Sequence, residues 1–236
     1  FAPICGYGPH GAIIHYSATE ESNAKINRSG LILLDTGGQY LDGTTDITRT
    51  FALGEISEEA KRDFTMVLRS NLRLGAVKFK EGCTGVNLDM AAREPFWERG
   101  LDYNHGTGHG VGYVLNVHET PGRINWKRRE EYGEDVPLQE GMIVSNEPGF
   151  YLEGQYGIRL ENLILCRKTE KTDYGQFMEF ETLTLVPFDL DAVDVTLLDS
   201  RERKLLNDYH RRVYGELLPY MTEEEAEWLK TATRAI

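Results

Sequence analysis

The chain of 236 residues has no apolar stretch that approaches membrane-spanning length, and no signal peptide is visible in it. It is also short of basic residues: 26 lysines and arginines stand against 38 acidic residues, which gives a formal net charge of −12. An acidic surface repels the phosphates of nucleic acids and of anionic lipids. The sequence therefore predicts neither a nucleic-acid partner nor a membrane partner.

Cysteine is scarce as well. The three cysteines, Cys5, Cys83 and Cys166, are an odd number and show no CxxC spacing. Neither a disulfide framework nor a thiolate zinc site is indicated, so we expect reduced thiols in a cytoplasmic protein. The chain begins with Phe1 rather than with Met, and we expect it to be a piece of a longer protein.

The remaining composition is ordinary for a globular domain, with 40% hydrophobic and 27% charged residues. This length allows one large domain with a substantial core. Strands are predicted over residues 11–16 (GAIIHY), 30–37 (GLILLDTG) and 46–51 (DITRTF). Because glycine-containing turns separate the last two, Asp35 and Asp46 are expected on neighbouring antiparallel strands, with their carboxylates close together.

Apolar residues at helical spacing predict helices over residues 57–79 and 84–93, the second ended or kinked by Pro95. The tail returns to helix over residues 201–218 and 222–233, the last beginning with a capping box.

Between these helices, residues 103–188 have the pattern of strands and loops, and residues 123–137 are predicted to form an exposed, charged loop. A sheet in the middle of the chain with helices on both sides indicates an α+β domain.

Four carboxylates and one imidazole lie beside apolar runs or among glycines: Asp35, Asp46, His109, Glu147 and Glu161. Unpaired carboxylates are costly to bury in such surroundings. A pair of hard divalent cations prefers oxygen-rich ligand sets of this kind. We therefore expect metal ions to compensate these acids.

The histidines are unevenly distributed. Five of the six fall in two short segments, His10 and His15 and then His105, His109 and His118. The second segment, HGTGHGVGYVLNVHE, includes four glycines, which let the backbone approach a ligand closely. A lone histidine is more often structural, but three within such a segment favour a functional site.

Arg159 precedes Glu161 by two residues, so the two are predicted to share one face of a strand. An ion pair between them on the surface is one interpretation. The apolar residues around them favour a buried strand instead.

The segments GAIIHY, LLDTGGQYLDGTTDITRT, HGTGHGVG, NVHE, SNEPGFY and GIRLEN resemble those of the pita-bread metallopeptidases, in particular the Xaa-Pro aminopeptidases (aminopeptidase P). The tail resembles the larger, three-domain branch. The resemblance implies a pita-bread fold, a curved antiparallel sheet flanked by helices, here without its first helices. Residues 1–236 would be the catalytic domain of a longer protein, and residues 189–236 its helical C-terminal extension.

The resemblance also implies a metal centre. Asp35, Asp46, His109, Glu147 and Glu161 match the five ligands of two divalent ions. Asp46 and Glu161 would bridge the ions, His109 and Glu147 would complete one shell, and Asp35 the other. The ligand set suits Mn²⁺, with Co²⁺, Fe²⁺ or Zn²⁺ as substitutes.

The implied reaction is hydrolysis of an N-terminal Xaa-Pro bond by a hydroxide that bridges the metals. Glu147 would act as general base and then acid, and His118 would polarise the scissile carbonyl. His15 would contact the substrate, His105 would line the pocket, and Arg159 would pair with the acidic cluster. The implied partners are peptides with proline in second position and, for the full-length protein, a second copy of itself.

Other functions stay open. The LLDTG segment resembles an aspartic-protease motif, but that chemistry needs two such aspartates and one DTG occurs. A non-catalytic peptide-binding module would not need all five metal-binding residues. A prolidase-like Xaa-Pro dipeptidase, or an enzyme for another N-terminal residue such as methionine, is a nearer alternative. The tail favours the aminopeptidase over the dipeptidase.

Overall fold

The computed structural model describes residues 1–114, 116–127 and 136–236. Its strands are β1 (Ile4–Tyr7), β2 (Leu31–Thr36), β3 (Gln39–Tyr40), β4 (Gly43–Thr44), β5 (Ile47–Ala52), β6 (Lys78–Lys80), β7 (Gly108–Val111), β8 (His118–Ile124), β9 (Ile143–Asn146), β10 (Gly149–Leu152), β11 (Tyr156–Arg159), β12 (Asn162–Thr172) and β13 (Gly175–Thr182). Its α-helices are α1 (Glu58–Gly75), α2 (Gly85–Trp97), α3 (Ser200–Leu217) and α4 (Glu223–Ala232).

Two antiparallel sheets organise these strands. The larger has the order β6-β13-β12-β9-β7-β8, and the smaller has the order β1-β2-β5. Two hairpins, β3-β4 and β10-β11, complete the pairing. Helices α1 and α2 contact each other, and α1 also contacts strands β9 to β11 and helix α3. The predicted α+β organisation is confirmed.

Apolar side chains form two buried clusters. One joins α1 to the β10-β11 hairpin and the C-terminal segment, and includes Phe64, Leu68, Ile158, Phe188 and Leu206. The other joins α2 to the large sheet, and includes Leu88, Ile124, Val144, Ile164 and Met178. Because both clusters are removed from water, they hold the strand ends of the two sheets in fixed positions.

The predicted strand over residues 11–16 is wrong. A short 3₁₀-helix, Gly8–Ala12, occupies its beginning, and a turn in which the Tyr16 amide donates to the Ile13 carbonyl (3.0 Å) follows. Pro9 suits the first turn of a helix. Gly11 also packs so closely on Gly157 that a side chain at residue 157 would meet the Gly11 carbonyl at 1.8 Å.

Helix α1 begins as predicted, since the Ser57 side chain accepts from the Ala60 amide (3.1 Å). It ends at Gly75 rather than near Phe79, because Lys78–Lys80 pairs with β13 as an edge strand. Helix α2 continues to Trp97 with Pro95 inside it. Of the two predicted effects of Pro95, a kink or an end of the helix, the end is wrong: the Glu98 amide still donates to the Glu94 carbonyl (3.0 Å) beyond the proline.

The two predicted C-terminal helices are confirmed, and the Thr222–Glu225 capping box is present in α4. The predicted loop over residues 123–137 begins within β8, and its residues 128–135 lie outside the described residues. Among the described residues, no helix combines the length and the apolarity that crossing a membrane requires.

Candidate metal centre

Strands β2 and β5 bring Asp35 and Asp46 together. Asp35, in β2, lies opposite Thr48 of β5, and Asp46 directly precedes β5. Both carboxylates are nearly inaccessible, with Asp35 9% and Asp46 5% exposed. The two aspartates lie beside the same cavity on an antiparallel strand pair, as predicted, except that Asp46 directly precedes its strand rather than lying on it.

Glu147 and Glu161 follow strand ends in a different part of the chain. Glu147 comes directly after β9, and Glu161 lies between β11 and β12 rather than inside a strand. Asn146 and Asn162, one residue from each acid, are paired in the β9-β12 ladder. The ladder therefore places the two glutamates next to each other, at the ends of the two central strands of the large sheet.

His109 lies on β7, which neighbours β9 in the same sheet. Its Nδ1 lies 2.9 Å from the Gly110 carbonyl oxygen, so Nδ1 carries a proton and donates to that oxygen, which leaves Nε2 directed at the acidic cluster. Nε2 lies 3.3 Å from Glu147 Oε1 and 3.5 Å from Asp46 Oδ2. One ligand atom from each of Asp46, His109 and Glu161 lies within 4.8 Å of the others.

These five residues line a cavity of about 200 Å³. His15, His118 and Arg159 line it too, and Phe1, Ile4, Ile14 and Val117 form an apolar part of its wall. A concave site with an apolar wall and a few converging polar groups is the usual form of a small-ligand site.

Two oxygens of the acidic cluster lack a hydrogen-bond partner although they are buried: Asp35 Oδ1 and Glu161 Oε1. Burial raises the pKa of Asp35, and burial followed by the charge of Glu147 raises the pKa of Glu161 well above its usual range. Buried polar atoms are otherwise almost always hydrogen-bonded. Unpaired oxygens in a cluster of excess negative charge fit a pair of divalent cations.

His109 responds to the same charges. Burial alone lowers the pKa of His109, but the hydrogen bond to Asp46 and the charge of Glu147 outweigh burial and raise it. Burial also raises the pKa of Glu147, whose Oε1 accepts a hydrogen bond from the Ser145 hydroxyl (3.0 Å).

Arg159 is buried and donates in three directions: to Asp35 Oδ2 (2.6 Å), to the Tyr151 hydroxyl (3.1 Å) and to the Thr48 hydroxyl (3.1 Å). The Thr48 hydroxyl in turn donates to Glu161 Oε2 (2.7 Å). The suggested surface ion pair between Arg159 and Glu161 is therefore absent, and Arg159 pairs with Asp35 instead.

His105, predicted to line the pocket, lies behind it. Its Nδ1 donates to the Gly106 carbonyl (2.7 Å), and its Nε2 accepts from the Tyr151 hydroxyl (2.9 Å). Burial lowers the pKa of His105 to about 4, so this ring is neutral near pH 7. His105 thereby supports Tyr151, which in turn accepts from Arg159.

His15 and His118 lie at the rim, and both side chains are exposed. The His118 ring lies 4.2 Å from the His109 ring, centroid to centroid. Although His118 is exposed towards solvent, the cavity wall partly desolvates its ring, and this desolvation, followed by the charge of His109, lowers the pKa of His118. His118 is therefore neutral near pH 7 and can donate a hydrogen bond into the cavity.

Sequence reasoning missed Thr48, Ser145 and Tyr151. The signal for the first two is spacing, because Thr48 and Ser145 each lie two residues from an acid, on the same strand face. The glycines of HGTGHGVG act differently from expectation: a side chain at Gly108 would meet the Ser145 carbonyl at 1.9 Å. That glycine permits close strand packing beneath the site rather than ligand approach.

Two protein-family models together match most of the chain. Residues 1–168 match the description "Metallopeptidase family M24", and residues 176–236 match "C-terminal region of peptidase_M24". A probable Xaa-Pro aminopeptidase P from Arthroderma gypseum is 44% identical over 100% of this chain and 38% of its own length. Aminopeptidase P1 of Lotus japonicus is also 44% identical, over 100% of this chain and 36% of its own. The chain thus spans little more than a third of the curated relatives it matches.

Solved structures agree. An X-prolyl aminopeptidase from Caenorhabditis elegans, described as a cytosolic enzyme with a di-nuclear active site, superposes with a TM-score of 0.91 at 37% identity. The superposition includes 100% of this chain and 38% of the C. elegans chain. An Xaa-Pro dipeptidase from Bacillus anthracis has a TM-score of 0.65 at 34% identity, over 80% of this chain and 48% of its own. The expected pita-bread architecture is confirmed by these similarities.

Proposed function

Because the chain belongs to metallopeptidase family M24, we propose that it is the catalytic region of an aminopeptidase that hydrolyses N-terminal Xaa-Pro bonds with two divalent metal ions. The observation that supports this best is the cluster of four carboxylates and one imidazole around a single cavity, with two buried oxygens left unpaired. A structural ion-pair cluster would not leave such oxygens without partners.

The residues that would hold the two ions are Asp35, Asp46, His109, Glu147 and Glu161, which line one cavity. When bound, two divalent cations would supply a Lewis acid for the scissile carbonyl, and they would lower the pKa of water enough for it to lose a proton and become a nucleophile at neutral pH. We propose Mn²⁺, since four oxygen-donating residues and one nitrogen-donating residue suit that ion; Co²⁺, Fe²⁺ or Zn²⁺ could replace it.

Glu147 is the proposed proton carrier. Its carboxylate lines the cavity, is oriented by the Ser145 hydroxyl, and has a pKa raised by burial. A carboxyl group of raised pKa can take a proton from water and return it to the departing proline nitrogen. Arg159, which also lines the cavity, holds Asp35 in place by a hydrogen bond of 2.6 Å.

The rim histidines are proposed to bind the peptide. His118, neutral near pH 7, is suited to donate a hydrogen bond to the carbonyl oxygen of the first residue. His15 lies across the same cavity and is proposed to contact the substrate near the scissile bond. His105 acts through Tyr151 and Arg159 rather than by touching the peptide.

The proposal also includes the domain organisation, the cellular location and the oligomeric state of the protein. Residues 1–236 would form the catalytic part of the longer protein, with residues 189–236 as a helical extension. We propose a cytoplasmic location, consistent with three free cysteines and with the cytosolic description of the C. elegans enzyme. We also propose that the full-length protein is a homodimer.

Metal analysis combined with peptide cleavage tests this function. The protein loaded with Mn²⁺ should cleave an Xaa-Pro-Yaa peptide, and Glu147→Ala should lose at least about 1000-fold in kcat, since proton transfer alone is worth 10²–10⁴. The exposed Glu153, in the β10-β11 turn, provides a control: Glu153→Ala should keep full activity. Full activity in Glu147→Ala would refute the mechanism.

The preferred length of the substrate distinguishes the proposed aminopeptidase from a prolidase-like dipeptidase. A prolidase-like enzyme would prefer Xaa-Pro dipeptides, whereas an aminopeptidase should prefer Xaa-Pro-Yaa and longer peptides. Cleavage restricted to dipeptides would assign the chain to the dipeptidase class while leaving the proposed metal centre intact.

A further inference from the structure

Arg49 is a buried cation outside the proposed ligand set. It lies on β5 between Thr48, whose hydroxyl donates to Glu161, and Thr50, whose hydroxyl donates to the Arg159 carbonyl, and its own side chain leaves the opposite face of the strand. It is 2% exposed, and burial lowers the pKa of its guanidinium. Within the described part of the chain, its hydrogen bonds go to carbonyl, amide and hydroxyl oxygens rather than to a carboxylate.

One side of the guanidinium holds the main chain at Glu161. Arg49 Nη1 donates to the Glu161 carbonyl (2.5 Å) and to the Thr48 carbonyl (3.0 Å), and Nη2 donates to Asn162 Oδ1 (2.7 Å). The Glu161 amide donates to the same Thr48 carbonyl (2.9 Å). Both peptide groups of Glu161 are therefore tied to β5, the strand that Asp46 precedes.

The other side of the guanidinium is held by the C-terminal region. Nη2 donates to the Val186 carbonyl (2.7 Å) and to the Tyr209 hydroxyl (3.1 Å), and Nε donates to the Pro187 carbonyl (3.3 Å). The Phe188 ring lies 4.2 Å from the guanidinium carbon. Tyr209, in α3, also donates to the Val186 carbonyl (2.7 Å), so α3 fixes both Arg49 and its acceptor.

We propose that Arg49 is a positioning residue for Glu161, and that Tyr209 of the C-terminal region sets the position of Arg49. The inference rests on the proposed metal centre. Glu161 Oε1 lacks a partner, so its direction depends on the Glu161 main chain and on the Thr48 hydroxyl at Oε2. The residues that hold a ligand from behind commonly tune metal affinity by 10–100-fold. Helix α3 would thus contribute to metal binding without touching a ligand.

Two variants and one control test this proposal. Arg49→Lys keeps the charge but loses the planar fork that reaches both sides. Tyr209→Phe removes one hydroxyl and keeps the ring that packs on Phe188, at 5.2 Å. Tyr174→Phe, at an 81% exposed position in the turn between β12 and β13, is the matched control. For each, Mn²⁺ alone is titrated into the folded apoprotein by calorimetry, and the melting temperature without metal is recorded separately.

We expect Arg49→Lys to weaken binding of at least one Mn²⁺ by about 10–100-fold, and Tyr209→Phe to weaken it less, by several-fold. The electron paramagnetic resonance spectrum of the bound manganese pair should change in both, whereas Tyr174→Phe should match the wild type. A purely structural role would lower only the melting temperature of the apoprotein. Arg49→Lys is the more disruptive variant. If it does not fold, the Mn²⁺ affinity of Tyr209→Phe alone tests the positioning role.

The outcomes separate this inference from the proposed function. If the wild type binds two Mn²⁺ ions and the folded variants bind them equally well, the positioning role is refuted and the function stands. If the wild type binds no Mn²⁺, both are refuted. Weakened binding in folded Tyr209→Phe supports the inference.

Discussion

Two largely buried charge clusters contact the HGTGHG segment, residues 105–110, and they differ in how completely their charges are paired. In the first, Arg93 of α2 binds Asp89 Oδ2 and Asp102 Oδ1, each at 2.5 Å, and donates to the Tyr103 and His105 carbonyls, each at 2.8 Å. The Thr107 hydroxyl donates to the other Asp89 oxygen. We call these residues the Arg93 cluster. Among its described atoms no buried polar side-chain atom lacks a partner.

The acidic cluster of Asp35, Asp46, Glu147 and Glu161 is different. Its four carboxylates line the same cavity as one guanidinium among the described residues, that of Arg159, and two of their oxygens are unpaired. Burial raises the pKa of a carboxyl in both clusters, Asp89 in one and Glu161 in the other. A raised pKa therefore does not distinguish the two. The two clusters are distinguished by the excess of negative charge and the unpaired oxygens, which only the acidic cluster has, and these two features together indicate a site for a cationic ligand.

The largest expected effect on stability comes from breaking the Arg93 cluster. Arg93→Met should leave Asp89 buried and uncompensated, which costs about 3–5 kcal/mol of unfolding free energy. Urea denaturation at pH 7 measures this loss. Arg167→Met, which removes an exposed ion pair with Glu181, is the control and should change stability little. A loss as small as that of the control would show that the cluster does not support the fold.

Removal of metal from the acidic cluster should lower the stability of the folded protein. The four carboxylates repel one another without cations, and cations bind only the folded chain, so saturation at 100 times Kd should add about 3 kcal/mol for each ion bound, or roughly 5–10 °C in Tm for each. Differential scanning calorimetry with and without a chelator measures this shift, which should persist in Arg167→Met. An unchanged melting curve after complete metal removal would contradict the proposed centre.

The smallest expected effect on stability is that of protonating His210. This residue also has a buried atom without a partner, so one unpaired atom by itself does not indicate a ligand site. Its Nε2 accepts from the Phe188 amide (3.0 Å), while its buried Nδ1 lacks a partner. Burial, and then Arg49 and Arg234, lower the pKa of His210 to about 4. The unfolded chain, with an ordinary histidine pKa near 6.5, takes up a proton first as the pH falls.

Stability that depends on neutral His210 should therefore be complete above pH 6.5 and fall as the pH drops towards 4. One such group contributes about 1 kcal/mol of loss between pH 6.5 and 5.5. Urea titrations of the wild type and His210→Gln at both pH values, at one fixed Mn²⁺ concentration, isolate this difference. An equal change in both proteins would show that His210 does not titrate in this way.

Much of the fold could be predicted from local sequence. The N-cap at Ser57, the capping box of α4 and the strand around Asp35 depend on neighbours within a few residues, and all three are present. The failures occur where distant contacts prevail. Residues 11–16 have strand-like composition, yet contact with Gly157 bends them, and Lys78–Lys80 leaves the helical pattern because β13 offers it a partner.

The site shows the same division. The sequence by itself determined which side chains could bind metal, because four acids and a histidine in apolar or glycine-rich settings have few other uses. Only the tertiary structure decided that Arg159 pairs with Asp35, that His105 lies behind Tyr151, and that Arg49 links Glu161 to α3. These partners are separated by tens of residues or more, and packing of the sheets and helices brings them together. Composition and spacing act locally, whereas hydrogen-bond partners are chosen by proximity in the folded chain.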